Sequence, residues 1–307
     1  MNVIDQLLQS DPVIKRLTEK YLLGQEVSYD NSGYVQRYLD LYDSKSHLWG
    51  NGVYGPKWIS THYTMMELRY MEIDPHHSIY QDALNTLLSH LWKENAMYNR
   101  KTHLDMCIAG MLLSLASYGK IKDNRIDAMV DYILDHQTSD GGWNCRWENK
   151  PYPKISSVHT TLSILEAFRD YFQNGYQYRI DDVKRAMYDG TETLLKRHLY
   201  QAHDTLSPIH IAMIKPSYPP RWKYDILRAL EFFVSIDFPY DFRMEEAIMI
   251  LKQSFKGPFM PKGTKISGLV HFNLEESRVG LFNTLRALKV MKCYSPQVYE
   301  HLVDINL

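Results

Sequence analysis

The sequence has no run of apolar residues long enough to cross a membrane, and its start lacks the basic and apolar segments of a secretory signal. Neither sign of charge is in excess, because the sequence has 35 Lys and Arg and 36 Asp and Glu, which gives a formal net charge of −1. This balance gives no electrostatic attraction for nucleic acid or for an anionic membrane. We therefore expect a cytoplasmic protein with no nucleic-acid partner and no transmembrane segment.

Cysteine is scarce, with only Cys107, Cys145 and Cys293 in 307 residues. Three scattered cysteines are too few for a disulfide framework, so we expect reduced thiols that are available for metal binding or chemistry. Cys145 follows Asn144 and precedes Arg146, whose positive charge could lower the pKa of the thiol and make it reactive. The alternative is that Cys145 is an exposed thiol with no role.

The alternating pattern of β-strands is also missing. Apolar residues instead recur every three or four positions, as in QDALNTLLSHLW (81–92) and RIDAMVDYILDHQ (125–137), which predicts a protein that is nearly all α-helical. Glycine, proline and asparagine collect between these segments and indicate loops between helices. We predict one large domain over residues 1–307, with a helical N-terminal part (1–45) followed by repeats (46–307).

The repeats are visible as self-similar segments. PKWISTHYTMMELRYM (56–71) matches PKISSVHTTLSILEAF (153–168), with a Pro-Lys pair shortly before His62 and His159. Three further segments that begin at or near residues 107, 221 and 278 fit the same frame. The alignment places five residues at one equivalent position: His62, Cys107, His159, Arg221 and Val279. The spacing between copies accommodates two helices and a loop, which is a helical-hairpin repeat.

Such a repeat can form an open solenoid or a closed ring. About six hairpins suit a closed α/α toroid, with an inner ring of helices around an aromatic cavity and an outer ring around them. The equivalent position then lies at the N-terminal end of each inner helix, at one mouth of the cavity. Helix N-termini offer unpaired N–H groups and a positive dipole end, which favour an anion such as a diphosphate.

The segment HQTSDGGW (136–143) resembles the turn repeat of squalene and oxidosqualene cyclases and of protein prenyltransferase β subunits, which are α/α toroids. DGGWNC, VHTT, PPRWKYDILRAL and SRVGLFNTLRAL resemble bacterial proteins usually called prenyltransferase-like or squalene-cyclase-like. The resemblance implies a prenyltransferase- or terpene-cyclase-like enzyme that acts on an isoprenoid or other apolar substrate, with or without a diphosphate. The aspartate-rich acid and magnesium motifs of familiar cyclases are absent.

One part of the resemblance concerns a metal. LDMCIAGMLLSL (104–115) and the later VHTT are similar to the segments that hold a catalytic zinc in protein farnesyltransferase β subunits. The similarity implies Asp105, Cys107 and His159 as Zn²⁺ ligands, and Lys150 or Lys154 near a diphosphate. Three ligands with one open position would suit a catalytic zinc.

Several other residues are candidates for the site. His62 and His103 are possible additional zinc ligands. The predicted substrate-binding set is His62, His103, Lys150, Lys154, Trp143, Arg221, Tyr224 and Arg278. Several of the candidates have a structural alternative: Cys107 as a small buried side chain, Asp105 as a helix cap, His159 as a satisfied polar group, Trp143 as the base of a glycine turn, and the arginines in salt bridges.

Two other functions stay open at this point. A carbohydrate-active enzyme, a glycosidase or a lyase, could use pairs of loop carboxylates from Asp140, Glu148, Glu275 and Glu276. A non-catalytic binding or scaffold protein could keep the same fold.

Overall fold

The structure is a computed structural model that describes residues 1–93, 104–148, 153–205, 207–263, 267–274 and 277–306. Within these ranges the regular secondary structure is helical, and the only β pairing consists of isolated bridges. The prediction of an all-α protein is confirmed. No helix in the described ranges has the length and apolar character needed to cross a membrane.

The helices are α1 (Val3–Leu8), α2 (Pro12–Tyr21), α3 (Tyr34–Leu39), α4 (Thr61–Tyr70), α5 (Ser78–Leu91), α6 (Met106–Tyr118), α7 (Asn124–Asp135), α8 (Val158–Gln173), α9 (Ile180–Leu195), α10 (Ile226–Ser235), α11 (Glu245–Ser254), α12 (Leu281–Tyr294) and α13 (Pro296–Asp304). Two 3₁₀ turns span Ile211–Ile214 and Phe242–Met244. The chain divides into two compact units. Unit 1 contains residues 1–40, 71–74 and 196–307, and unit 2 contains residues 41–70 and 75–195. A single domain over 1–307 stays a prediction.

Unit 2 consists of three consecutive helical hairpins, α4/α5, α6/α7 and α8/α9. The first helix of each hairpin is buried over most of its length, as in Thr61–Leu68, Ile108–Ser117 and Thr160–Phe168. The second helix is amphipathic and buries one face only, and in α7 that face is Ile126, Met129, Val130, Tyr132 and Ile133. Helix α6 packs between α4 and α8. The hairpin repeat therefore produces one layer of buried helices, and partly exposed helices pack against it.

The contact between α6 and α8 depends on a glycine. A Cβ atom on Gly110 of α6 would lie 2.6 Å from Ile164 Cδ1 and 3.2 Å from the carbonyl oxygen of Ser163, both in α8. These distances are shorter than ordinary van der Waals contact, so the absence of a side chain lets α6 and α8 approach closely.

Replacing Gly110 with leucine is therefore expected to lower the free energy of unfolding by about 1–3 kcal/mol through overpacking. Urea denaturation of Gly110→Leu, Ile164→Ala and the double variant would measure it. If the clash with Ile164 is the cause, the double variant is more stable than the sum of the single effects predicts. Simple additivity would contradict this explanation.

Unit 1 joins helices from opposite ends of the sequence. Helix α12 packs against α10, α11, α13 and α2. Lys292 Nζ in α12 donates a hydrogen bond of 2.7 Å to the carbonyl oxygen of Leu22, at the end of α2. Arg286 Nε donates to Glu231 Oε2 at 2.6 Å and so links α12 to α10. The N-terminal helices are thus held by the last part of the chain.

Tryptophan turns precede α4 and α8 in unit 2. The backbone N–H groups of Trp49 and Trp143 donate to the hydroxyls of Thr61 and Thr161, each at 3.0 Å. The threonines are 100 residues apart, whereas His62 and His159 are 97 apart. Thr61 is the first residue of α4, whereas Thr161 is the fourth residue of α8. The tryptophan loop is therefore attached about one helical turn further along α8 than along α4, a difference that the sequence alignment does not show.

The turn that contains Trp143 is a structural corner, in agreement with its glycine-rich sequence. Gly141 has φ +91°, a conformation that favours glycine. The carboxylate of Asp140 accepts hydrogen bonds from Ser156 N and Oγ, both 2.9 Å. Burial raises the pKa of Asp140, but hydrogen bonds from Thr138 and Ser156 outweigh it and lower the pKa overall. Asp140 is thus held as a carboxylate within the turn, which does not suit a general acid.

Candidate functional site

The candidate site lies where the three buried helices of unit 2 begin. His62, Cys107 and His159 are each the second residue of their helices, α4, α6 and α8. Because α6 packs against both neighbours, residues near these starts can meet. The contacts that the structure describes there centre on Cys107 and on Cys145, which follows the tryptophan turn.

Cys107 and Cys145 are in contact. The backbone N–H of Cys107 donates to Cys145 Sγ at 3.1 Å, and the hydroxyl of Thr160, the third residue of α8, donates to the same sulfur at 3.3 Å. The side chains of the two cysteines are themselves within hydrogen-bonding distance. The sulfur of Cys145 therefore lies against the N-terminal turns of two helices, where N–H groups and the helix dipole stabilise negative charge.

The two thiols differ in their electrostatics. The hydrogen bond from Cys107 lowers the pKa of Cys145, and the bond from Thr160 adds to this effect against the opposing effect of burial. The same hydrogen bond raises the pKa of Cys107, and burial adds to this increase. The pKa of Cys145 is consequently lower than that of Cys107, so Cys145 is the thiol of the pair that ionises first.

Asp105 supplies a negative charge beside the thiols. It occupies the N-cap position of α6, yet its side chain makes no capping hydrogen bond to the helix. Its charge opposes ionisation of both Cys107 and Cys145. The structure therefore does not give its carboxylate the capping role that sequence alone allowed.

Tyrosines and a buried histidine lie on the α4 side. Tyr63 Oη donates to Tyr54 Oη at 2.9 Å, and the ring of His62 lies 5.2 Å from that of Tyr54 and 5.1 Å from that of Tyr63. Burial raises the pKa of Tyr54 to about 12, and negative charge on Cys107, Asp105 and Cys145 contributes. Tyr54 thus packs against the histidine ring, and the negative charge of the thiol pair acts on its hydroxyl.

His62 is the least satisfied polar side chain of this region. It is completely buried, and neither ring nitrogen has a hydrogen-bond partner in the described structure. Burial lowers its pKa to about 3, so the imidazole is neutral near pH 7. A buried polar group without a partner is costly, by about 1–3 kcal/mol, and such groups often mark a place that water or a ligand occupies.

Aromatic side chains enclose the α7 side. Trp147 Nε1 donates to Tyr132 Oη at 3.0 Å, and Tyr132 Oη donates to the carbonyl oxygen of Leu104 at 2.6 Å. The rings of Trp147 and His136 are 3.8 Å apart. Burial raises the pKa of Tyr132, as do the charges of Glu148, Cys145 and Asp105. Its hydroxyl is neutral, and the charge of Cys145 acts on it.

The predicted zinc ligands Asp105, Cys107 and His159 begin or precede adjacent helices. Among the described residues, however, no three His, Cys, Asp or Glu side chains are placed to hold a metal ion. The side chain shown in contact with Cys107 is Cys145. Binding of Zn²⁺ by Asp105, Cys107 and His159 stays a prediction from the resemblance.

The other predicted residues are distributed over both units. His103 and Lys150 lie outside the described residues, as do Glu275 and Glu276. Lys154 is exposed before α8, and Trp143 is wholly buried in the core of unit 2. In unit 1, Arg221 is buried with φ +54°, Arg278 is exposed, and Tyr224 Oη donates to the carbonyl oxygen of Leu199.

Sequence reasoning missed the partnership of Cys145 with Cys107, and the roles of Tyr54, Tyr132 and Trp147. Tyr54 and Cys145 both lie between a repeated tryptophan and the following buried helix, at Trp49 and Trp143. That shared position was a usable signal, because loops before equivalent helices of a repeat lie at the same end of the hairpins.

No family model matches the chain, and no match is found among curated proteins.

Proposed function

We propose that the protein is an enzyme that binds an apolar, isoprenoid-like substrate at the starts of α4, α6 and α8. The observation that carries this proposal is His62, a neutral and wholly buried imidazole that has no hydrogen-bond partner among the described residues and lies between tyrosine rings. A ligand with a polar end and an apolar body would satisfy its nitrogens and contact the rings. The proposed class is prenyltransferase- or terpene-cyclase-like, in agreement with the sequence resemblance.

The chemistry of the neighbouring side chains suits this class. Tyr54, Tyr63 and Trp58 present aromatic faces, and the rings of Trp58 and Tyr63 are 4.7 Å apart. Aromatic faces attract cations, so they would stabilise positive charge that develops on an isoprenoid chain. The N-terminal turns of three helices would favour a diphosphate group. His62 would orient the polar end of the substrate rather than donate a proton, because its pKa of about 3 keeps it neutral.

Closure of the hairpins into an α/α toroid with a central cavity belongs to the same proposal. The three hairpins of unit 2, each with a buried first helix and a partly exposed second helix, support it. Asp140, whose carboxylate is engaged within its turn, gives no support to a glycosidase mechanism.

His62→Phe tests the role of His62 in binding. Phenylalanine has a similar shape and removes an unsatisfied buried polar group, so the free variant should be at least as stable as the wild type. A prenyl diphosphate such as farnesyl diphosphate should bind the variant about tenfold more weakly, because one hydrogen bond contributes about 0.5–1.5 kcal/mol. Thermal unfolding and calorimetric titration measure the two quantities.

The matched control is His203→Phe, which changes an exposed histidine of unit 1 and should leave binding unchanged. Oligosaccharides serve as the competing ligand class. The proposal is wrong if farnesyl diphosphate neither binds nor stabilises the wild type, or if an oligosaccharide does so instead. Equal binding by wild type and His62→Phe would remove His62 from the site.

A further inference from the structure

We infer that Cys107 and Cys145 form a redox-active dithiol in which Cys145 reacts with a hydroperoxide and Cys107 closes the disulfide. The inference is independent of the isoprenoid proposal, which uses neither sulfur. It rests on contact between two cysteines that are 38 positions apart in the sequence and on the polar groups around one of them. The third cysteine, Cys293, is exposed and provides an internal comparison.

The geometry suits disulfide formation. Cys145 Sγ lies 3.1 Å from the backbone nitrogen of Cys107, and so no more than about 4.6 Å from the Cα atom of Cys107 when one N–Cα bond is added. The two side chains share a hydrogen bond, so the sulfurs that would form an S–S bond of about 2.05 Å are already neighbours. Both thiols are partly accessible, so a small oxidant can reach them.

The surroundings assign different roles to the two sulfurs. Cys145 Sγ accepts hydrogen bonds from the N–H of Cys107 and the hydroxyl of Thr160, at the N-terminal turns of α6 and α8. These donors stabilise a thiolate, the form of cysteine that attacks an electrophile. In the described contacts the sulfur of Cys107 has its own backbone N–H as a donor but no hydroxyl like that of Thr160, and its thiol shares a hydrogen bond with Cys145. Cys145 is therefore the attacking sulfur and Cys107 the resolving one.

The chemistry balances with a hydroperoxide as the oxidant. The Cys145 thiolate attacks the terminal peroxide oxygen, the O–O bond breaks, and the leaving alkoxide takes up the proton that the Cys145 thiol released. The product is a sulfenic acid on Cys145. The sulfur of Cys107 then attacks the Cys145 sulfur, the S–O bond breaks, and hydroxide leaves as water with the proton of Cys107. Two thiols and one hydroperoxide give one disulfide, one alcohol and one water, with two electrons transferred.

The test uses the full-length protein and hydrogen peroxide, the simplest hydroperoxide, after treatment with a chelator. One equivalent of peroxide should remove two of the three free thiols, lower the mass by about 2 Da through loss of two hydrogens, and cross-link the peptides of Cys107 and Cys145. Cys293 should stay reduced although it is the exposed thiol. Dithiothreitol should restore all three thiols.

Variants separate the two roles. Cys107→Ser should give no cross-link and should leave a sulfenic acid on Cys145 that a 1,3-dione traps. Cys145→Ser should react at least about tenfold more slowly at pH 7, because it removes the stabilised thiolate. Cys293→Ser is the matched control and should behave as the wild type. Thr160→Val keeps the shape of the side chain and should slow the reaction several-fold.

The inference is overturned if Cys293 is oxidised as fast as the pair, or if both thiols of the pair survive one equivalent of peroxide in the folded wild type. It is also overturned if the untreated protein carries one equivalent of zinc whose loss upon Cys107→Ser shows that the sulfur is a metal ligand. An unchanged midpoint of thermal unfolding in each variant would show that its loss of reactivity is not caused by unfolding.

Discussion

Replacing Asp170 with asparagine is expected to lower the free energy of unfolding by about 3–5 kcal/mol, the usual cost of removing one partner from a buried ion pair. Asp170 in α8 is buried and accepts hydrogen bonds from Arg69 Nε at 2.9 Å, from Arg169 Nε at 3.0 Å and from Ser114 Oγ at 2.5 Å. Arg69 Nη2 is a further donor to the same carboxylate. The variant would leave two largely buried guanidinium groups without their shared anion. Urea denaturation at pH 7 measures the loss.

Asp123→Asn is the matched control. Asp123 pairs with Arg125 at the start of α7, but both side chains are about one-third exposed. Solvent screens such a pair, so its loss should cost no more than about 1 kcal/mol. Similar losses for the two variants would show that the Asp170 cluster does not act as a buried ion network.

The same cluster has a pH signature. Burial alone would raise the pKa of Asp170, but Arg169 and Arg69 outweigh it, and the pKa is lowered. The folded protein therefore holds this carboxylate ionised at pH values where the unfolded chain binds a proton. Its stabilisation is complete above the unfolded pKa of about 3.9 and is lost as the pH falls toward the folded pKa. Wild-type stability should consequently fall more steeply in this acid range than that of Asp170→Asn.

Trp143→Ala is expected to cost about 3–5 kcal/mol, as other truncations of large buried aromatic residues do. Trp143 is completely buried, its ring packs edge-on against Phe168 at 5.8 Å, and its Nε1 donates to the carbonyl oxygen of Ile133 at 2.8 Å. A Cβ atom on Gly190 of α9 would lie 2.9 Å from the Trp143 ring, so α9 packs directly over it. The variant would open a cavity between α7, α8 and α9. Thermal and urea unfolding would measure the loss of stability.

Two comparisons make the result specific. Trp143→Phe keeps an aromatic ring and loses the hydrogen bond to Ile133, so its loss of stability should be smaller than that of Trp143→Ala. Tyr188→Ala removes an aromatic side chain of α9 that is 64% exposed and should change the stability by no more than about 0.5 kcal/mol. A Trp143→Ala protein as stable as Tyr188→Ala would contradict the structural role given to the turn.

The helices of unit 2 and part of the site could be predicted from the sequence, because both depend on local periodicity. The 3.6-residue pattern identified buried and partly exposed helices, and the repeat register placed His62, Cys107 and His159 at equivalent helix starts. The glycines before Trp143 predicted its turn, because few other residues adopt a positive φ.

The contact between Cys107 and Cys145 could not be derived in the same way. The path of residues 144–148 depends on tertiary contacts, such as that of Trp147 with Tyr132 and His136, which no short-range pattern records. The burial of His62 likewise depends on Tyr54 and Tyr63, which pack around it. Periodicity identifies which face of a helix is buried, but it does not identify which loop covers the end of that helix.

The discontinuous composition of unit 1 has a consequence for biosynthesis. Lys292 and Leu22, which join α12 to the end of α2, are 270 positions apart, whereas unit 2 is formed mostly from the uninterrupted stretch 75–195. At a translation rate of about 5–20 residues per second, α2 would wait on the order of 10–50 s for its partner. Unit 2 can assemble on the ribosome during that interval, while α1 and α2 pack against each other but lack α13 and α12, their later partners. Helices α1 and α2 are consequently the segments that a nascent-chain chaperone would bind for longest.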